Sequence, residues 1–218
     1  MTGIEALEAT ITAPVASFRN PLYTGVQVTL PCPPPSTIGG MLAASAGSWD
    51  KVPHDFRFAA AFHAEGRGTD LETYHPLPTA RKPGNYGPQN REFLAFTTLK
   101  IWILDNLDQW EHRLRRPVWP MRLGRSQDLA ALTTRRTTLT TAPGEQHGAL
   151  ITDHPAAGGT SLRVPTAITL DRGRTLWGSY RYDPTGHTTA TVPDSYSTPT
   201  GQAVALLPPT HPATAERV

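Results

Sequence analysis

From Ile4 to Pro14 apolar and polar positions alternate loosely, with Ile4, Ala6, Leu7, Ala9, Ile11 and Ala13 on the apolar side. That period predicts a first strand. Ser36–Gly47 reads as a helix ended by Gly47. Asp55–His63 sets Phe56, Phe58, Ala60 and Phe62 on one face of a second strand. The strongest strand signal is Glu92–Leu104, which holds Phe93, Leu94, Phe96, Leu99, Ile101, Trp102, Ile103 and Leu104. Short helices are expected at Asn106–Arg116, stopped by Pro117, and at Ser126–Leu132. Thr137–Thr141, Ala149–Asp153, Leu162–Leu170 and Leu176–Tyr182 are further strands, set apart by Gly and Pro signals. A strand–helix–strand opening followed mostly by strands predicts an α+β fold, with helices against one face of an antiparallel sheet.

Two segments break the pattern. Residues 64–91 hold Gly66, Gly68, Pro76, Pro78, Pro83, Gly84, Gly87 and Pro88, with few aliphatics. The segment lies between two strands and is expected to project as a long hairpin or loop; loops of this length are usually functional or disordered. Residues 183–218 are rich in Thr, Pro and Ser. Val204–Leu207 is expected to pack as a final strand and Pro208–Val218 to be disordered.

A chain of 218 residues is one domain, or one domain with appendages. Residues 1–182 are taken as the domain and 183–218 as its C-terminal segment. With 38% hydrophobic residues and 22 prolines, a modest core is expected. No apolar run has the length of a membrane span, and the start, Met-Thr-Gly-Ile-Glu, has no signal-peptide character. Cys32 is the only cysteine, which excludes a disulfide framework and a multi-cysteine metal site. These features predict a cytoplasmic protein without a membrane partner. Net charge is +2, but Glu111–Arg136 concentrates Arg113, Arg115, Arg116, Arg122, Arg125, Arg135 and Arg136 against Glu111 and Asp128. Arginine's planar fork suits phosphates and bases. The overall arginine excess fits a GC-rich genome; the local cluster reads as function.

Ser17–Gly47 carries the chemistry most open to interpretation. Ser17-Phe18-Arg19-Asn20-Pro21 ends the first strand, and Pro33-Pro34-Pro35-Ser36-Thr37-Ile38-Gly39-Gly40 opens the helix. Ser36 or Thr37 is expected to cap the helix N-terminus. Gly39 and Gly40 clear its first turn for a close neighbour, and an uncluttered N-terminus can hold a phosphate. The alternative is a crossover whose glycines serve only tight packing.

Together with Leu123-Gly124-Arg125-Ser126, these two motifs resemble one family, over roughly residues 4–182. It is the RAMP-superfamily subunit of type I CRISPR effector complexes (Cascade) that caps the 5′ end of the guide RNA, the type I-B-like branch being favoured. The resemblance implies a ferredoxin-like, RNA-recognition-type domain. It also implies that residues 64–91 form a β-hairpin "thumb" that wedges against the guide and a backbone subunit. Partners would be the crRNA 5′ handle, the backbone subunit, the large subunit and, only within the complex, target DNA. Arg19, Ser36, Thr37, Gly39, Gly40, Gly124 and Arg125 are carried over as RNA contacts. Phe18 and Asn20 at the strand end, and Tyr74, Arg81, Lys82 and Tyr86 in the long loop, complete the expected interface.

One branch of that family cleaves the guide precursor with a tyrosine, a lysine and a histidine, the last two adjacent. No Lys-His pair exists here: Lys100 precedes Ile101 and Lys82 precedes Pro83. His54, His63, His75 and His112 are the available bases, with Tyr23, Tyr74, Lys82 or Lys100 to assist. The expectation is therefore a noncatalytic RNA-binding and assembly subunit without cofactor or metal. The rivals are a metal-independent endoribonuclease and a generic α+β interaction domain. His147, Asp153, His154 and Asp171 read as loop residues rather than metal ligands. Trp102, Trp110, Trp119 and Trp177 read as core or interface anchors.

Overall fold

The computed structural model describes residues 3–23, 27–74 and 87–216, the side chain of Tyr74 excepted. The main-sheet strands are β1 (Gly3–Ala16), β2 (Ala59–Tyr74), β3 (Gly87–Ile103) and β4 (Ala131–Thr140). Helix α1 (Pro35–Ala46) connects β1 to β2, and α2 (Leu107–Arg115) connects β3 to β4. The strands pair antiparallel in the order β2-β3-β1-β4. A second sheet of β5 (Ile151–Thr152), β6 (Thr160–Ile168) and β7 (Thr175–Tyr182) has the order β5-β7-β6. Short strands β8 (Tyr196–Ser197) and β9 (Ala203–Val204) extend the main sheet beyond β4, and α3 (Pro212–Glu216) follows.

The period-two pattern of β1 works as expected. Leu7, Ala9, Ile11 and Ala13 join Ile38, Leu42, Trp110 and Leu114 in the larger core, beneath α1 and α2. Ala6 lies in a smaller core on the other face with Trp102, Leu139, Val192 and Val204. Helix α1 is composed of small residues because it packs against both β6 and α2. Gly47 ends it at φ +104, its N–H bonding to the Ala44 carbonyl.

Several expectations are corrected. Pro34, not Ser36 or Thr37, stands at the α1 N-cap, and no side chain caps the helix. Pro35 at the first helical position has no N–H needing a partner, so the two hydroxyl residues fall inside the first turn. Ser126–Leu132 is not a helix. Leu123 N–H bonds to the Asp128 carbonyl and Ala130 N–H to that of Met121, so the segment folds back as a tight loop. The last strand before the second sheet runs Ala131–Thr140, longer than Thr137–Thr141, because β1 offers it a full ladder from Gly3 to Thr12.

The region expected to resist packing is mostly ladder. β2 and β3 pair from Ala59↔Trp102 out to Tyr74↔Gly87, so a two-stranded hairpin extends beyond β1. Arg81, Lys82 and Tyr86 lie outside the described residues. The tail is not disordered through residue 216. Leu207 is buried, its N–H bonds to the Phe58 carbonyl, and Thr210, His211 and Ala215 are buried as well. Gly39 explains the docking: a Cβ there would collide with the Thr210 side chain. The expected Val204 strand is present as β9.

Candidate nucleic-acid interface

The three motifs meet at one end of the sheet. After β1, Phe18 N–H donates to Thr29 Oγ1 (2.9 Å) and Leu30 N–H donates to the Phe18 carbonyl, turning the chain back. Gly124 lies directly on that strand end. A Cβ there would sit 2.7 Å from the Ser17 carbonyl oxygen, and its φ is +99. Only glycine satisfies both the approach and the left-handed backbone. Alongside, Thr37, Gly40, Met41 and Ala44 of α1 form one wall of a hollow, and Trp119, Met121, Arg122 and Gly124 form the other. A Cβ on Gly40 would meet nothing within 4 Å, so this glycine opens onto free space.

The expected contact residues separate into two groups. Arg19 is exposed and, among the described residues, makes no ion pair. Ser36, Thr37, Gly40 and Asn20 are partly accessible; Asn20 Oδ1 accepts from Leu22 N–H (3.1 Å) and shapes the turn beside Arg19. Tyr74 ends β2 at the outer end of the described ladder. The others are structural. Phe18 is 3% exposed and packs edge-on against Phe62 at 5.7 Å, so it is a core residue and not a base platform. Gly39 is buried under Thr210. A phenyl ring gains more from burial than from a seat in water, and the C-terminal segment supplies the cover.

Arg125 is likewise committed inside the protein. Its Nε lies 2.9 Å from Asp128 Oδ2 and its Nη1 3.5 Å from Asp70 Oδ2 on β2. Burial opposes its charge, but the Asp128 hydrogen bond and the two carboxylates outweigh that and raise its pKa. Much of the arginine cluster is likewise paired with carboxylates, though nearer the surface. Arg135 makes a bidentate pair with Glu8, Arg136 binds Glu111 and Asp108, and Arg115 pairs with Glu111. Arg113 lies 4.9 Å over the Trp110 ring, its pKa lowered by burial. Arg116 and Arg122 stay exposed without an acidic partner among the described residues.

Sequence reasoning missed Trp119 as a component of this hollow. It is 59% exposed, with its indole N–H donating to the Gly47 carbonyl at 3.1 Å. The flanking Pro117 and Pro120, which keep the segment out of helix, were the available signal. The hairpin is tied to the same end. Glu92 accepts from Thr29 N–H (3.1 Å) and Arg67 Nη2 (2.5 Å); the Arg67 hydrogen bond leads in lowering its pKa. Arg91 pairs with Glu72 across the strands.

The remaining chemical candidates are dispersed. His54 stacks near His211 (4.2 Å between centroids), His112 is exposed on α2, and His75 lies outside the described residues. His63 and Lys100 line a groove on the opposite sheet face that no tyrosine lines. His147 pairs with Glu145 and Asp153 with Arg181, while Asp171 holds its own turn through Thr169 and Gly173. Among the described residues, no helix is long and apolar enough to cross a membrane.

One solved chain, titled "CRISPR RNA-guided surveillance complex", is similar over 94% of each chain at 18% identity and TM-score 0.56. A chain of a type III-B Cmr-beta complex bound to cognate target RNA and AMPPnP covers 82% of this chain and 84% of its own, at 11% identity and TM-score 0.56. A CRISPR protein from Archaeoglobus fulgidus covers 94% of this chain and 100% of its own, at 12% identity and TM-score 0.53. These likenesses concern the fold. No curated protein matches the chain significantly. The family described as CRISPR-associated protein (Cas_Cas5) matches residues 6–205, nearly the whole chain. The protein belongs to the Cas5 family of CRISPR-associated proteins.

Proposed function

We propose that the protein is a noncatalytic RNA-binding and assembly subunit of a type I CRISPR interference (Cascade) complex, gripping the 5′ handle of the guide RNA. The observation that carries this reading is the convergence of the strand end, the α1 glycine motif and the 119–125 loop around one hollow. Arg122 lines that hollow and Arg19 is exposed at the adjoining strand end; neither has an acidic partner among the described residues. Phosphate contacts from these arginines would set register, and Trp119 offers a face for an unstacked base. The element order β1-α1-β2-β3-α2-β4, with strand order β2-β3-β1-β4, supports a ferredoxin-like domain. The β2–β3 hairpin is the counterpart of the expected thumb and would brace the backbone subunit. The absence of an adjacent Lys-His pair supports the I-B-like branch, in which a separate endonuclease cuts the precursor.

The test is co-expression of the tagged chain with its neighbouring genes and sequencing of the bound RNA. Guide-length RNAs sharing one repeat-derived 5′ end, bound with other proteins, are expected. Arg19→Ala with Arg122→Ala should strip the RNA from this subunit. Normal assembly and handle protection in that double variant would reject the assignment.

A further inference from the structure

The main sheet has one long open edge. β4 is laddered to β1 from Thr140↔Gly3 to Ala131↔Thr12 without a register break. On its other side it meets β8 at Thr140↔Ser197 and nowhere else among the described residues. Backbone donors and acceptors alternate between the two sides of an antiparallel strand. The outward set between Ala131 and Leu139 therefore has no backbone partner among the described residues.

The opposite edge of the sheet is closed at its base. Phe62 N–H bonds to the Gly148 carbonyl, Leu150 N–H to that of Ala60, and Leu207 N–H to that of Phe58. β4 carries no proline, glycine or bulge to discourage a further strand. Its two charges turn inward: Arg135 pairs with Glu8 of β1, and Arg136 with Glu111 and Asp108 of α2.

Beside this strand a hollow of about 560 Å³ opens between the end of α2 and the helix-side face of β4. Leu132 and Thr134 belong to that face, since they oppose Ile11 and Ala9 of the larger core. Leu114, Pro117 and Met121 supply the other wall, and Arg115 also lines it. The Arg115 side chain is 69% exposed, and its one carboxylate, Glu111 at 3.5 Å, is held closer by Arg136. Arg116 follows, exposed and without an acidic partner among the described residues. The edge and its hollow together call for main-chain donors and acceptors at strand spacing, an apolar side chain and a negative charge. A polypeptide supplies all three, whereas a nucleic-acid strand has no main-chain amides to pair. A second copy fits poorly, because symmetric pairing about the middle of β4 would set Arg135 of one copy against Arg136 of the other.

We propose that the β4 edge docks an extended segment of another protein, which joins the sheet beside residues 131–138 with an apolar side chain in the hollow and, two positions along, a carboxylate on Arg115. Residues two apart on a strand share a face, so both groups reach the helix side. Main-chain pairing supplies affinity and the hollow supplies selectivity. The inference concerns a protein partner and does not rest on the handle reading.

The test is fluorescence anisotropy of the full chain with a labelled, end-blocked decapeptide of threonines carrying one leucine and, two positions on, one glutamate. Saturable binding is expected. N-methylation of alternate peptide amides separates strand pairing from side-chain contact. Methylating one alternate set should weaken binding about tenfold or more, and methylating the other should leave it unchanged. Lysine in place of the glutamate should weaken binding about tenfold, and Arg115→Glu should reverse that preference. With peptide bound, amide exchange should slow at alternate residues of β4 and not in β7. No binding, equal loss from both methylated sets, or an unchanged preference in Arg115→Glu overturns the proposal. Displacement of the peptide by oligo-uridine also overturns it, by assigning the hollow to nucleic acid. A concentration-dependent dimer that closes the edge to peptide overturns it in favour of a second copy.

Discussion

Arg125 reaches Asp70 across 3.5 Å and so joins the loop after α2 to the base of the β2–β3 hairpin, 55 positions earlier in the chain. The same guanidinium holds Asp128, whose side chain is only 4% exposed. The glycine–arginine motif that suggests a phosphate ligand is therefore a structural joint. Arg125→Ala strands the buried Asp128 carboxylate and should cost about 3 kcal/mol of stability. Urea denaturation checks the value. An unchanged midpoint with lost RNA binding would return Arg125 to the interface.

Asp70→Asn tests the other arm of the joint. The Arg125–Asp128 pair survives this change, so global stability should fall by less than about 1 kcal/mol. Amide exchange at the hairpin base should rise while that of β1 does not. Uniform exchange across both would show that the contact does not orient the hairpin.

The glycines of the two motifs should respond oppositely to alanine. Gly40→Ala places its methyl in open space within a helix and should stabilise by about 1 kcal/mol. Gly39→Ala drives a methyl into Thr210, and Gly124→Ala meets the Ser17 backbone at φ +99; each should destabilise by about 2 kcal/mol. Thermal melts of the three proteins decide. A destabilised Gly40→Ala would mean that the hollow is occupied.

His211 ties the C-terminal segment to the domain and should make that attachment pH-dependent. Burial lowers its pKa, and His54 adds to this; the Trp49 carbonyl, Asp50 and Glu216 oppose it. Its Nδ1 accepts from Ala213 N–H (3.1 Å), leaving Nε2 to face the Trp49 carbonyl (3.2 Å), so the folded ring is neutral. The unfolded chain takes up the proton first. The contribution is therefore complete above about pH 6.5 and is lost as pH falls through the lower folded value. His211→Asn should flatten stability against pH in that range. An unchanged slope would assign the pH dependence to other groups.

Ser36→Ala and Thr37→Ala, singly, should change stability by less than about 0.5 kcal/mol, since neither side chain caps α1. A loss near the usual cap value of about 1 kcal/mol would show that one of them caps the helix in solution. Reduced guide retention at unchanged stability would place the hydroxyl at the RNA.

β1, β3, α1 and α2 were legible because their signals are local. Period-two alternation from Ile4, an apolar run ending at Leu104, and prolines and glycines at the boundaries each act over a few residues. The family resemblance rested on similarly short motifs, and the match over residues 6–205 agrees with it at the level of the Cas5 family. A hairpin or loop was expected from Ala64 onward, but its continuous ladder was not read, because Gly66, Gly68 and Pro88 argue against strand locally while pairing with a partner strand overrides that preference. Phe96 gave no warning of its exposure, since an apolar residue in an apolar strand reads as core.

The sequence by itself determined where β1, β3, α1 and α2 form, that the fold is α+β, and which motifs deserved chemical attention. Only the tertiary structure decided what those motifs do. Phe18 is core because Phe62 meets it, Gly39 is required because Thr210 covers it, and Arg125 is a joint because Asp70 and Asp128 face it. Backbone propensity is set by near neighbours and is encoded within a few positions. Whether a charge or a ring faces solvent depends on groups tens of residues away, brought within a few ångströms by folding. Arg19 and Arg122 look like the other arginines in the chain, and the fold sets them apart from Arg125, Arg135 and Arg136 by leaving them exposed with no acidic partner among the described residues.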